Sequence, residues 1–276
     1  MNELKATAGE IFPKKSCLFC PIDGEIDSTW RYLSELLSEN QRQQMVNQQV
    51  VWGMDTMIFL TYARGGNCEI NPFVQTYGPD VDWAKAARWM QRLEPGKHGA
   101  NIVPCLLCDD DPETAQNVAF TNYYVPAACQ VLGPYSRAIC AGLEMSEQYN
   151  TFKRSLSPSA KTEHAARFRD SMTRIIKICH ENTDKPILVH MQWNMITPLP
   201  AGLNGLIFEH PWPPWEGDNH SADEAASIGA RAIQRAADYG VSVGFNEYHI
   251  KPWSTRGREM TRALAKLPCF LIGGPL

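Results

Sequence analysis

Long apolar runs are missing from this chain: nowhere do about 18 apolar residues follow one another, the length that a membrane span needs. The N-terminus, MNELKATAGEIFPKKS, lacks the apolar stretch of a secretory signal, so such a signal is expected to be absent or already removed. A basic excess is missing too. Lys and Arg number 26 against 30 Asp and Glu, for a formal net charge of −4, whereas nucleic-acid binders usually carry a basic stripe. Glycine-rich phosphate loops of the GxGxxG or GxxxxGK type follow none of the apolar segments, which disfavours a nucleotide-binding doubly wound sheet. There is no internal repeat, low-complexity tract or interdomain linker. Neither nucleic acid nor a membrane is an expected partner.

Cysteine is plentiful, but its number is odd. Nine residues spread along the chain read as free thiols of a protein made and folded in a reducing cytoplasm, not as a disulfide framework. Where the protein then acts is left open. Two CxxC pairs, Cys17/Cys20 and Cys105/Cys108, invite a zinc reading. Both lie in apolar runs read as strands, where residues three apart point to opposite faces, so neither pair is expected to chelate. No metal and no other cofactor is expected.

What is present suits one large domain. A chain of 276 residues, 44% hydrophobic and 20% charged, can bury a sizeable core. The expected unit is 1–276, with 1–15 as an N-terminal extension. Eight short apolar runs punctuate it: SCLFCPI (16–22), TMIFLTYA (56–63), NIVPCLLC (101–108), AICAGLE (138–144), PILVHMQW (186–193), GLIFEHPW (205–212), VSVGFNE (241–247) and CFLIGG (269–274). Helical patterns separate most of them. Trp30, Leu33 and Leu37 recur at helical spacing after the first run, and Trp83, Ala87, Met90 and Leu93 after the second. Pro112 stands at the first turn of a third helix. A long helix over about 155–182 carries the stripe Phe168, Met172, Ile175 and Cys179. Ser221 and Glu224 form a capping box for a helix that Gly240 ends, and Met260, Ala263, Leu264 and Leu267 mark the last one. Between the fifth and sixth runs the linker is short and holds Pro198 and Pro200, so that unit is expected to be irregular or without its helix. The fold class is α/β, a (β/α)8 TIM barrel.

Barrels of this kind work at the C-terminal ends of their strands. The polar residues there are Arg64 after the second run, Glu144 ending the fourth, and His190, Trp193 and Asn194 at the fifth. Glu209 and His210 stand in the sixth, and Asn246 and Glu247 end the seventh. Three glutamates directly after apolar strands are a more specific signal than one.

In these positions the chain resembles the clan A glycoside hydrolases. That resemblance implies an acid/base glutamate ending strand four, Glu144 in AICAGLE, and a nucleophile ending strand seven, Glu247 in VSVGFNE. It also implies an arginine after strand two beside the nucleophile, and Arg64 in LTYARGG has that place. The clan usually carries Asn immediately before the acid/base; here Leu143 stands there, and Glu147 is a second candidate for the acid. Cleavage of a glycosidic bond needs one protonated carboxyl for the leaving oxygen and one ionised carboxylate for attack. A retaining mechanism on an oligo- or polysaccharide is the expectation.

Aromatic residues fit the same chemistry. Trp212 and Trp215 sit between prolines in HPWPPWEGDN, with Trp193 and Trp253 near other strand ends. Indole faces are broad apolar platforms for the C–H face of a sugar ring. The substrate-binding set is therefore Arg64, His190, Trp193, Asn194, Glu209, His210, Trp212, Trp215, Asn246 and Trp253. Glu209 is read as a supporting hydrogen-bond acceptor. Trp83 and Trp89, inside a helical pattern, are read as core.

Strand parity separates the two catalytic candidates. Glu144 shares a face with Cys140 and Gly142, small residues suited to a barrel interior. Glu247 shares a face with Val241, Val243 and Phe245, and reaches the interior only if that apolar set fills it or a bulge re-aims the chain. Two rival readings stand beside the glycosidase. One is a metal-dependent sugar isomerase-like barrel, with Glu144, His190, Glu209, His210 and Glu247 around a divalent cation. The other is a non-catalytic carbohydrate-binding barrel in a larger assembly.

Overall fold

The computed structural model describes residues 11, 16–19, 56–60, 83, 84, 87, 91, 101–106, 118–142, 157–191, 199–208, 220–245 and 255–273. Each of the eight apolar runs contains one strand: β1 (Ser16–Phe19), β2 (Thr56–Leu60), β3 (Asn101–Cys105), β4 (Ile139–Cys140), β5 (Ile187–Met191), β6 (Gly205–Phe208), β7 (Ser242–Phe245) and β8 (Leu271–Gly273). Neighbours pair in parallel and in chain order, and β8 closes the ring on β1. Buried parallel strands read as near-continuous apolar runs, which is why they stood out in the sequence.

The register fixes the geometry of closure. Cys140 pairs with Leu188, Leu188 with Gly205, and Gly205 with Ser242. Two residues on, Gly244 pairs with Leu271 and Leu271 with Ser16. Two further on, Leu18 pairs with Thr56 and Thr56 with Asn101; four on, Cys105 meets Cys140 again. The circuit closes only after steps of two, two and four residues, a stagger of eight. That is the shear at which eight tilted strands enclose a side-chain-filled interior.

Four helices are described over their full length: α1 (Val125–Leu132), α2 (Pro158–Asn182), α3 (Ala222–Ala237) and α4 (Thr255–Ala265). They follow β3, β4, β6 and β7, as parallel crossovers require. A π-helical turn, Phe120–Tyr124, leads into α1 and was not legible in the sequence. Helix α2 starts at Pro158, with the Ser157 hydroxyl accepting from the Ala160 N–H at 3.3 Å. Its expected stripe of Phe168, Met172, Ile175 and Cys179 is buried. Helix α3 has the expected capping box: the Ser221 hydroxyl accepts from the Glu224 N–H at 3.2 Å, and the Glu224 carboxylate accepts from the Ser221 N–H at 2.7 Å. Between β5 and β6 the described residues 199–204 form no helix and turn at Gly202, φ +82°. Residues 192–198 lie outside the described set.

The described residues form two apolar cores. The outer one packs alternate strand residues, Ile139, Val189, Phe208, Val243 and Phe245 among them, against the helices. Trp83 joins it, with its ring centroid 5.6 Å from that of Tyr124. The inner core contains Cys105, Cys140, Leu188 and Ile207 from the strands, with Ile11 and Phe270 beside them. Ile11, in the expected N-terminal extension, is thus part of the core. Its carbonyl accepts from Arg137 Nε at 2.6 Å. Gly205 makes room for this plug: a Cβ there would lie 2.7 Å from Leu188 Cδ2 and 3.1 Å from both Ile11 Cδ1 and Phe270 Cε1.

Candidate active site

The two cores assign faces to described residues of β3 to β8, and along a strand these faces alternate. On β4, Ile139 and Ala141 face the helices while Ala138 and Cys140 face the interior. Ladder bonds outrun the strand itself: Ala141 N–H donates to Leu188 O at 2.8 Å, and His190 N–H to Gly142 O at 2.9 Å. The ladder bonds thus run to Gly142, although the chain bends at Ala141.

On β5 Leu188 belongs to the inner core, and His190, two residues on, is wholly buried. Burial pushes the His190 imidazole down to about 3, so the ring is neutral at physiological pH. His190, read from the sequence as a substrate contact, thus shares the parity of Leu188 and is inaccessible in the barrel. On β6 Ile207 faces the interior and Phe208 the helices, and Glu209 follows directly. On β7 Val243 and Phe245 pack on the helices, with ring centroids of Phe208 and Phe245 6.4 Å apart. The apolar set of β7 therefore does not fill the barrel. Of the two routes that bring Glu247 inward, only a change of backbone phase after Phe245 remains.

Among the sequence-derived candidates, His190 is within the described residues. Arg64, Glu144, Glu147, Trp193, Asn194, Glu209, His210, Trp212, Trp215, Asn246, Glu247 and Trp253 lie outside them. In the chain, each of the strand-end candidates follows the C-terminal end of its strand. Of the two CxxC pairs, Cys17 and Cys105 lie in β1 and β3, while Cys20 and Cys108 lie outside the described residues. Among the described residues no group of three or more His, Cys, Asp or Glu could hold a metal ion, and no helix is long and apolar enough to cross a membrane.

No protein-family model and no curated protein matches the chain. Solved structures do. The β-glycosidase of the hyperthermophile Thermosphaera aggregans superposes with a TM-score of 0.57 at 10% identity, over 95% of this chain and 88% of that one. An endoglucanase of Pseudomonas stutzeri, Cel5A, gives 0.53 at 9% identity, over 84% and 76%. A β-mannanase of Alicyclobacillus acidocaldarius gives 0.50 at 11% identity, over 95% and 87%. The fold is that of the clan A glycoside hydrolases. At such identities the likeness is one of fold.

Proposed function

We propose that the chain is a glycoside hydrolase that cleaves an oligo- or polysaccharide by a retaining, two-carboxylate mechanism on a complete (β/α)8 barrel. The observation that carries this reading is the inward-facing pair Ala138 and Cys140 of β4, with Glu144 four residues further along the chain, on a ring with the clan A fold. Glu144 is the general acid. It protonates the departing glycosidic oxygen while a second carboxylate attacks the anomeric carbon. Glu144 then removes a proton from the water that releases the sugar, which restores both carboxyl groups.

Glu247 is the nucleophile of this reading, with Arg64 holding it ionised. It needs a bulge between Phe245 and Glu247, because Val243 and Phe245 face the helices. A second reading follows from β6. Ile207 faces the interior, so Glu209 has the inward parity without any bulge and would be the attacking carboxylate. Trp193, Trp212, Trp215 and Trp253 serve as platforms for sugar rings, and Asn194, His210 and Asn246 as polar contacts. The test is a panel of nitrophenyl glycosides of both anomers, followed by Glu144→Gln, Glu209→Gln and Glu247→Gln on whichever compound is cleaved. Loss of turnover by orders of magnitude in Glu247→Gln or in Glu209→Gln identifies the attacking group. Full activity in both overturns the two-carboxylate reading.

A further inference from the structure

Two of the buried thiols meet between helices. Helices α1 and α2 lie in the crossovers before and after β4, and they end level with one another. A Cβ on Gly133, the C-cap of α1, would lie 2.8 Å from Oγ1 of Thr183, the C-cap of α2. Across the same seam Gln130 Nε2 donates to Asn182 Oδ1 at 2.8 Å. One turn back from each cap, Cys129 and Cys179 hold matching positions: the Cys129 carbonyl accepts the Gly133 N–H, and the Cys179 carbonyl the Thr183 N–H. Their thiols are hydrogen-bonded to each other, and both side chains belong to the outer apolar core. Neither is in a disulfide. The contact with Cys129, then burial, raise the Cys179 thiol well above its ordinary range, and the Cys140 thiol of β4 adds to the effect. A thiol held in this way is inert while the seam stays closed.

We propose that Cys129 and Cys179 are a latent disulfide: two thiols in reducing surroundings, and a covalent staple between α1 and α2 where small-molecule disulfides are abundant. A disulfide needs Cβ atoms about 3.5–4.5 Å apart, and thiols already in contact on facing helix turns have only to rotate and close. The exchange balances. One thiolate attacks the small disulfide, forming a mixed disulfide and releasing one thiol; the second thiolate then displaces the other. Two electrons and two protons pass from the pair to the oxidant, which departs as two thiols. Because both cysteines are buried, exchange waits for local opening of the seam and is slow in the folded protein. The bond would enclose residues 130–178, the stretch that contains β4, and so restrict the unfolded chain and raise stability. Both helices end a few residues before β4 and β5 begin, so the staple is at the N-terminal face of the ring, the face that serves stability rather than chemistry in such barrels. The inference is independent of the glycosidase reading.

The test uses the full chain, folded, incubated with oxidised glutathione, then alkylated and digested without reductant. Mass spectrometry should recover the peptide that holds Cys179 joined to the peptide that holds Cys129, with fragment ions placing the bond on those two residues. Dithiothreitol should separate them. The thermal midpoint should rise by roughly 5–10 °C on oxidation, and Cys129→Ser and Cys179→Ser should lose that rise. The mass measurement needs no variant, so a substitution that fails to fold leaves the test intact. Both cysteines recovered as alkylated thiols or as glutathione adducts, or Cys179 joined to a different cysteine, overturns the proposal. So does a bond between the pair that leaves the midpoint unchanged or lowers it, or a rise of equal size in the variants.

Discussion

His190 offers a prediction with a magnitude. In the folded protein its imidazole is pushed from an ordinary 6.5 to about 3 by burial. In the unfolded chain it titrates normally, so between those two values the unfolded state binds a proton that the native state refuses. Stability must therefore fall as pH falls, beginning near the unfolded value and continuing towards the folded one. The slope is about 1.4 kcal/mol per pH unit. Near pH 7.5 the cost is negligible, while near pH 5 it has grown to about 2 kcal/mol. Carboxylates contribute to the same acid limb, so the comparison with His190→Gln isolates the histidine. Urea unfolding followed by circular dichroism at both pH values gives the four free energies. The wild-type protein should lose about 2 kcal/mol more than the variant on going from pH 7.5 to 5. Equal losses would refute the reasoning, as would a His190 ring that titrates near 6.5 by NMR.

Three further outcomes are expected. Gly205→Ala should destabilise the barrel by roughly 1–3 kcal/mol in urea unfolding, because the new methyl would lie 2.7 Å from Leu188 Cδ2 at the base of the inner core. Ser221→Ala should cost about 1 kcal/mol, since it removes the hydroxyl that accepts the Glu224 N–H at the start of α3. Trp212→Ala and Trp215→Ala should weaken sugar binding, read by calorimetry, with little change in unfolding free energy. A loss of several kcal/mol in stability would instead place those rings in a core.

Much of the ring was legible in the sequence because its physics is local. Strands covered on both faces must be apolar at nearly every position, so each run announced a strand. The capping box at Ser221 and the stripe through Phe168 and Cys179 follow from helix geometry alone. The end of β3 was not legible, because burial and backbone bonding both run past it: Leu106 is buried and donates to Cys140 O at 2.9 Å, yet lies beyond the last residue of β3. Which face looks inward was half legible. Parity groups residues into two sets, but only the packing of Val243 and Phe245 on the helices says which set of β7 the barrel interior excludes. The same closure hides His190, whose neutrality comes from neighbours supplied by β4 and β6 rather than from β5 itself.

The central claim is that Glu144 is the acid/base of a retaining glycosidase, and azide tests it most directly. Glu144→Gln keeps the shape but removes the proton donor, so an activated aryl glycoside, whose leaving group departs unprotonated, should still form the glycosyl-enzyme. Breakdown then lacks a general base and limits turnover. Azide, an anion that needs no base, should accelerate release and yield a glycosyl azide of retained configuration. A Glu144→Gln protein that turns over the same substrate at the wild-type rate, or that azide leaves unchanged while Glu144→Asp remains fully active, would contradict the assignment.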